Sequence, residues 1–278
     1  MTLEVMTTRL DGADLDALGA AVRALEGESF ATRVANLLGQ RVQFAGRALP
    51  SSGRKIIATS SEKALYAVLR LTLRTIDTKA PPRTQIRLHK GLAALSGAAG
   101  GAFGLAAILV ELPITTAIML RSVAQIARAE GEDLSQTNAA LACVEVFALG
   151  AHGPTEAALD GEYFAIRAAL AKSVSDSARF LLQQGFSNES APILVRLVAQ
   201  IAARFGVVVS EKVAAQAVPV IGAIGGAAVN LAFADHFQAI ARGHFTVRRL
   251  ERRYGADAVR FEYDRLRHHF ARTGRLDA

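Results

Sequence analysis

The sequence predicts an all-α fold, a multi-helix bundle with a central Gly/Ala-rich helical core, and three observations carry that prediction. Apolar residues make up 51% of the 278-residue chain and are mostly Ala, Leu, Val and Ile, the inventory of close-packed helices, whereas aromatic residues reach only 6% and Trp is absent. Apolar positions recur at helical spacing along most of the chain, with no credible strand pattern beside them. Two charge-free stretches, Gly91 to Val110 and Val213 to Ala234, are rich in Gly and Ala.

The elements follow in order. LDALGAAVRALE and the segment from Ser29 to Leu49 read as helices, broken by Pro50 and Gly53, and another helix is expected from Ser61 to Ile76. Asp77 to Arg83, carrying Pro81 and Pro82, reads as a linker. It divides an N-terminal helical layer (1–80) from a core with basic C-terminal helices (81–278), in one continuous domain. Gly91 to Val110 would span roughly 30 Å as one helix, about the thickness of a bilayer core. Its Gly, Ala and Ser residues add little insertion energy, however, and favour close helix approach instead. Gly97, Gly100, Gly101 and Gly104 are therefore the expected packing positions of the first stretch, and Gly222, Gly225 and Gly226 those of the second.

Glu111 closes the first stretch and Asp235 the second. Pro113 is expected in the first turn of a new helix, along which Arg121, Gln125 and Arg128 form a narrow polar stripe. Ser135 reads as the N-cap of the next helix, which runs to Leu149 with Glu145 as its only charge. Later helices are expected at Glu162 to Gln184, Ser190 to Phe205, Asp235 to Tyr254 and Ala258 to Arg272.

Several function classes lack support. Cys143 is the only cysteine, so neither an intramolecular disulfide nor a multi-cysteine metal site can form, which suits a reducing compartment. The N-terminal MTLEVMTTRLDGADLD has no basic and apolar leader pattern, and a cytoplasmic location is expected. No Gly-x-Ser-x-Gly, His-Glu-x-x-His, paired Glu-x-x-His or phosphate-loop pattern occurs, so neither a metal nor another cofactor is expected. The tail from Arg242 to Arg275 holds ten arginines against four acids, within a chain of net charge +7. Arg248, Arg249, Arg252 and Arg253 are assigned to an anionic membrane surface, and nucleic acid is not the expected partner because the tail matches no reading motif.

Convergence of Glu111, Glu145, Asp235 and His236 would allow acid/base or metal chemistry. The structural alternative is a polar core of Glu111, Arg121 and Glu145, in which Arg121 pairs with one of the two acids and sets helix register.

The segments ELPITTAIMLRSVAQIARAEGEDL, ALACVEVFALG and DHFQAIARGHFTVRRLERRYG resemble the EcsC family of bacterial proteins, over roughly Lys90 to Tyr254. The resemblance implies a helical protein, from a family named after the third gene of an operon that also encodes an ABC transporter. It implies no settled activity and supplies no accepted catalytic residues. The matching motif members are Glu111, Pro113, Thr115, Thr116, Arg121, Glu132, Asp133, Glu145, Asp235, His236, Gly243, His244, Arg248 and Arg249. The reading that follows is a protein peripheral to, or conditionally inserted in, the inner face of the cell membrane, accessory to a transport or envelope process through a transporter or envelope partner. A soluble scaffold is the alternative, and an enzyme using the buried acids and His236 comes third.

Overall fold

The computed structural model describes residues 10–37, 51–75, 108–151, 162–184, 191–216 and 222–274. Among them every regular element is an α-helix: α1 (Gly12–Glu26), α2 (Phe30–Leu37), α3 (Ser51–Thr75), α4 (Ile108–Ala129), α5 (Thr137–Leu149), α6 (Glu162–Gln184), α7 (Pro192–Gln216), α8 (Gly222–Tyr254) and α9 (Ala256–Thr273). The all-α prediction holds.

The middle of the bundle is α5. Every residue from Ala139 to Leu149 is buried, and α3, α4, α6, α7 and α8 all pack against it. A helix apolar on all sides can only be satisfied by such a position. The first three helices share its core: one hydrophobic cluster joins Leu18 and Val22 of α1, Phe30 of α2 and Leu65 of α3 to Phe147, Phe205 and Phe237. Phe147 lies 5.4 Å from both Phe205 and Phe237 between ring centroids, and Phe233 lies 5.1 Å from Phe237.

Gly150, just past α5, leaves room for that aromatic cluster. A Cβ there would lie 2.6 Å from Phe237 Cε1 and 3.1 Å from His236 Nε2. Phe237 is fully enclosed and has nowhere to retreat. Gly150→Ala should therefore lower stability by about 1–3 kcal/mol through overpacking, read as a lower urea midpoint with an unchanged slope.

Helices α1 and α8 approach closely at Gly243, where a Cβ would come within 2.8 Å of Leu25 Cγ and 3.2 Å of the Ala21 carbonyl oxygen. Here α1 crosses α8, and only a missing side chain permits that spacing. Of the glycines expected to pack helices, Gly226 is buried in the early part of α8 and Gly222 and Gly225 lie on the same helix, their surroundings outside the described residues. Gly97, Gly100, Gly101 and Gly104, like the linker Asp77 to Arg83, also lie outside them.

Four boundaries differ from expectation. The third helix begins at Ser51 rather than Ser61, because burial of Ile57, Ala64 and Leu65 along one face outweighs the propensity cost of Gly53. Pro113 sits inside α4 and not at its start. Ser135 does not cap α5: its N–H and hydroxyl both bond Asp133 Oδ1, at 3.0 and 2.6 Å, and Gln136 holds the N-cap position without a side-chain capping bond, its amide donating to Asp133 Oδ2 at 3.3 Å instead. The second charge-free stretch is divided between the end of α7 and the first part of α8, so Asp235 lies within a 33-residue helix instead of starting one.

Candidate functional site

The bundle has a polar end and an apolar end. The polar end forms where the last turns of α8 meet the loop between α4 and α5. His244, Arg248 and Glu251 are spaced to share one face of α8, with Arg252 beside them. Arg248 donates from Nε and Nη2 to the two oxygens of Glu132, at 2.9 and 3.0 Å, and Arg252 Nη1 closes on the same carboxylate. Arg252 Nη2 also donates to the Glu130 carbonyl oxygen at 2.7 Å.

One turn around, Arg249 bridges Glu130 (2.8 Å) and Asp14 (2.9 Å), while Arg253 and the Tyr254 hydroxyl donate to the other Asp14 oxygen at 2.7 and 2.9 Å. Burial pushes the Glu132 carboxyl up, but the Arg248 and Arg252 guanidiniums outweigh it and hold the group below its usual value. The Arg249 hydrogen bond, working against burial, does the same for Asp14.

Arg248, Arg249, Arg252 and Arg253, the residues assigned to an anionic surface, all take part in this clamp, with Arg252 and Arg253 still 43% and 58% exposed. All four are held by carboxylates of the same chain, which clamp α8 to α1 and to the Glu130–Asp133 loop.

Behind the clamp lies a second layer, built by α6. Arg167 donates to both oxygens of Glu251, at 2.8 and 3.1 Å, and to the Tyr163 hydroxyl at 3.2 Å. That hydroxyl meets His244 Nδ1 at 3.0 Å, leaving the buried Nε2 of His244 without a partner among the described residues. Burial, reinforced by the Arg167 and Arg248 charges, keeps His244 well below its usual pKa and therefore neutral near pH 7.

Glu145 faces this layer from α5. Among the described residues no hydrogen bond or ion pair reaches its carboxyl, and burial pushes it up to about 7 against the pull of Arg167 and Arg248. A cleft of about 370 Å³ opens above, lined by Gly131, Glu132, Asp133, Gln136, Asn138, Ala139, Arg248, Glu251 and Arg252.

The apolar end is organised by one buried ion pair. Lys212 Nζ of α7 lies 2.6 Å from Glu111 Oε1 of α4, with both side chains shielded, and it sits 4.8 Å over the Phe233 ring. Burial lowers the Lys212 pKa, and the Glu111 charge works against that shift. Arg121 takes no part: it is exposed on α4, pairs with neither Glu111 nor Glu145, and the expected polar core of Glu111, Arg121 and Glu145 is corrected accordingly. Around the pair, Val110 is 67% and Ile114 52% exposed, and Leu109, Val207 and Leu231 are also open to solvent. Helices α4 and α7 are each long and apolar enough to cross a membrane, although about half of each apolar window is buried in the bundle.

The four residues whose convergence would allow acid/base or metal chemistry are dispersed. Glu111 belongs to the apolar end and Glu145 to the polar layer. His236 meets the Gly150 carbonyl oxygen through Nε2 at 2.7 Å and packs on Phe30 and Phe237, tying α8 to the end of α5, with Asp235 beside it in the chain. Among the described residues no group of three metal-ligating side chains occurs.

Sequence reasoning missed Lys212, Tyr163, Arg167 and Glu251. The signals were present: Lys212 is an isolated cation near the end of an apolar helix, and Tyr163 and Arg167 are four apart on α6.

These features define a helical bundle protein with a carboxylate–arginine clamp at one end of α4 and, at its other end, a buried Lys–Glu pair flanked by exposed aliphatic side chains, while Leu37, Leu182, Val195 and Phe261 are exposed on other parts of the bundle. The chain belongs to the EcsC protein family, which it matches over residues 21–250. No curated protein and no solved structure matches it. The family match begins within α1, well ahead of the sequence blocks around Glu111, in keeping with the shared hydrophobic cluster.

Proposed function

We propose that this protein works at the inner face of the cytoplasmic membrane, peripheral or conditionally inserted, with its apolar end toward lipid. The observation that carries the reading is the exposure of Val110 and Ile114 beside a charge pair that is already neutralised. Each large aliphatic side chain that leaves water for an apolar phase contributes about 1.5–3 kcal/mol, and a paired Glu and Lys oppose transfer far less than two free charges. The charge-free stretch ending at Val110 leads into this same end of α4. The excess of basic residues supports long-range attraction to anionic lipid, while the internal pairing of the four α8 arginines makes apolar contact the main source of affinity. A role accessory to a transport or envelope process, with a transporter or envelope protein as partner, is the biological setting that fits.

Flotation with phosphatidylcholine and phosphatidylglycerol vesicles tests this. The wild-type chain is expected to float with both, with little loss at high salt, and the double variant Val110→Asp/Ile114→Asp is expected to remain at the bottom of the gradient while keeping its helical circular dichroism. Failure of the wild type to float with either vesicle supports the soluble scaffold instead.

A further inference from the structure

The cleft beside the clamp holds hydrogen-bond donors that meet nothing and acceptors that are all engaged, and that imbalance carries an inference independent of the membrane reading. A volume of about 370 Å³ suits a small molecule, and apart from Gly131 and Ala139 every lining residue is polar or charged. The cleft stands where α4 runs into the Glu130–Asp133 loop, at the opposite end of that helix from Val110 and Ile114. Its occupant is therefore hydrophilic.

The acids of the lining are occupied. Glu132 Oε1 accepts from Arg248 Nε and Arg252 Nη1, and Oε2 accepts from Arg248 Nη2. Each oxygen of Glu251 accepts from Arg167. Asp133 Oδ1 accepts from the Ser135 N–H and hydroxyl, and Oδ2 from the Gln136 amide at 3.3 Å. With Arg167 behind the wall, these three carboxylates face Arg167, Arg248 and Arg252, so net charge alone does not choose the ligand.

The donors choose it. Neither Arg248 Nη1 nor Arg252 Nε meets an acceptor among the described residues, although Glu132 holds both guanidiniums in place. Gly131, at φ +80°, shapes the turn on which Arg252 rests, its Nη2 donating to the Glu130 carbonyl oxygen at 2.7 Å. The Asn138 side chain is exposed on the cleft wall and makes no hydrogen bond among the described residues. Beside it, the N–H groups of Asn138 and Ala139 precede the first bond of the α5 ladder, from the Ala140 N–H to the Gln136 carbonyl oxygen at 3.1 Å. No acidic side chain stands in that first turn.

We propose that this cleft binds the phosphate group of a small soluble ester, held by Arg248 and Arg252 of α8 on one side and by Asn138 at the start of α5 on the other. Guanidiniums already fixed by a shared carboxylate lose little freedom on meeting an anion, and the oxygens of phosphate reach donors on two elements at once. A cation would share carboxylate oxygens that already accept, whereas an anion takes donors that are free. A lipid headgroup would bring acyl chains to a cleft with no apolar wall.

Titration of the full chain with inorganic phosphate, at ionic strength held constant with sodium chloride and followed through amide resonances, tests the proposal. The Gly131, Asn138 and Ala139 amides are expected to shift together and saturate with a Kd of about 1 mM, while α8 amides near Phe237 stay in place. Glycerol 3-phosphate is expected to saturate the same amides. Asn138→Asp sets a carboxylate among the donors without removing any bond of the clamp, and an acid in a first turn favours the helix. That variant is expected to keep or raise its thermal midpoint while its phosphate affinity falls about tenfold. Flotation does not depend on Asn138, so this proposal and the membrane reading fail separately. The proposal is overturned by the absence of a saturable shift, by shifts confined to the Arg249–Asp14 side of α8, or by unchanged affinity in Asn138→Asp. Phosphatidic acid vesicles occupying the cleft where glycerol 3-phosphate does not would equally overturn the assignment to a soluble ester.

Discussion

Replacing Lys212 by Met should lower the stability of this protein by about 3–5 kcal/mol, because it leaves the Glu111 carboxylate shielded from water with its only ion-pair partner among the described residues removed. For a chain of this size that corresponds to a fall in Tm on the order of 10 °C. The double variant Lys212→Met/Glu111→Leu should recover most of the loss or exceed the wild type, since replacing both charges by apolar groups removes the desolvation cost along with the attraction. Urea midpoints of the three proteins decide the matter: a single variant as stable as wild type would mean that water reaches Glu111. The pair joins the two helices with the length and composition of membrane spans, so the same variants also report what holds α4 against α7 in the folded bundle.

The second large effect concerns Glu145. Its carboxyl ionises near pH 7 in the folded chain and near 4.5 in the unfolded one, because burial disfavours the charge. Below pH 4.5 both states are protonated and the group leaves stability untouched. Between the two values the unfolded chain releases the proton first, so folding loses ground as pH rises, and above 7 the full penalty of about 3 kcal/mol is present. Glu145→Gln has no charge to develop. Its advantage over wild type should grow from nearly nothing at pH 4.5 to about 3 kcal/mol by pH 8, measured as the difference in urea unfolding free energy across that range. A constant difference would show that Glu145 titrates normally.

The opposite sign of these two effects reflects how each acid is housed. Glu111 sits against a lysine at bonding distance, and removing the lysine exposes the cost. Glu145 has only more distant arginines, each already engaged by another carboxylate, so removing its own charge relieves the cost. A buried acid maintained without its own partner is the kind of feature that marks functional positions in helical cores.

How much of this was legible beforehand varies by element. Helices α1, α6 and α9 lie close to where periodicity and glycine punctuation place them. The start of α4 and the divided second Gly-rich stretch do not, because a proline or glycine cost of one to a few kcal/mol is outweighed when neighbouring turns bury Leu112, Thr116 and Val229. The family blocks pointed to Glu132, Glu145, His244 and Arg248, and these do gather at one end. Their grouping could not be read from either block alone, since Glu132 and Arg248 are 116 residues apart.

The arginine tail shows what a count along the chain leaves out. An excess of basic residues in the last helices suggested an open basic face, yet Arg249 finds Asp14, 235 residues earlier.

The sequence by itself determined that the chain is helical, that the helix ending at Leu149 carries Glu145 as its only charge, and that two stretches carry no charge. Those properties depend on residues within a few turns of one another, where spacing along the chain is also spacing in space. Which cation meets which carboxylate, and therefore which acid is satisfied and which is left waiting for a proton, was decided only when α1, α6, α7 and the α4–α5 loop closed around α8. An ion pair forms within about 4 Å, and no pattern along the chain measures that distance between helices a hundred residues apart.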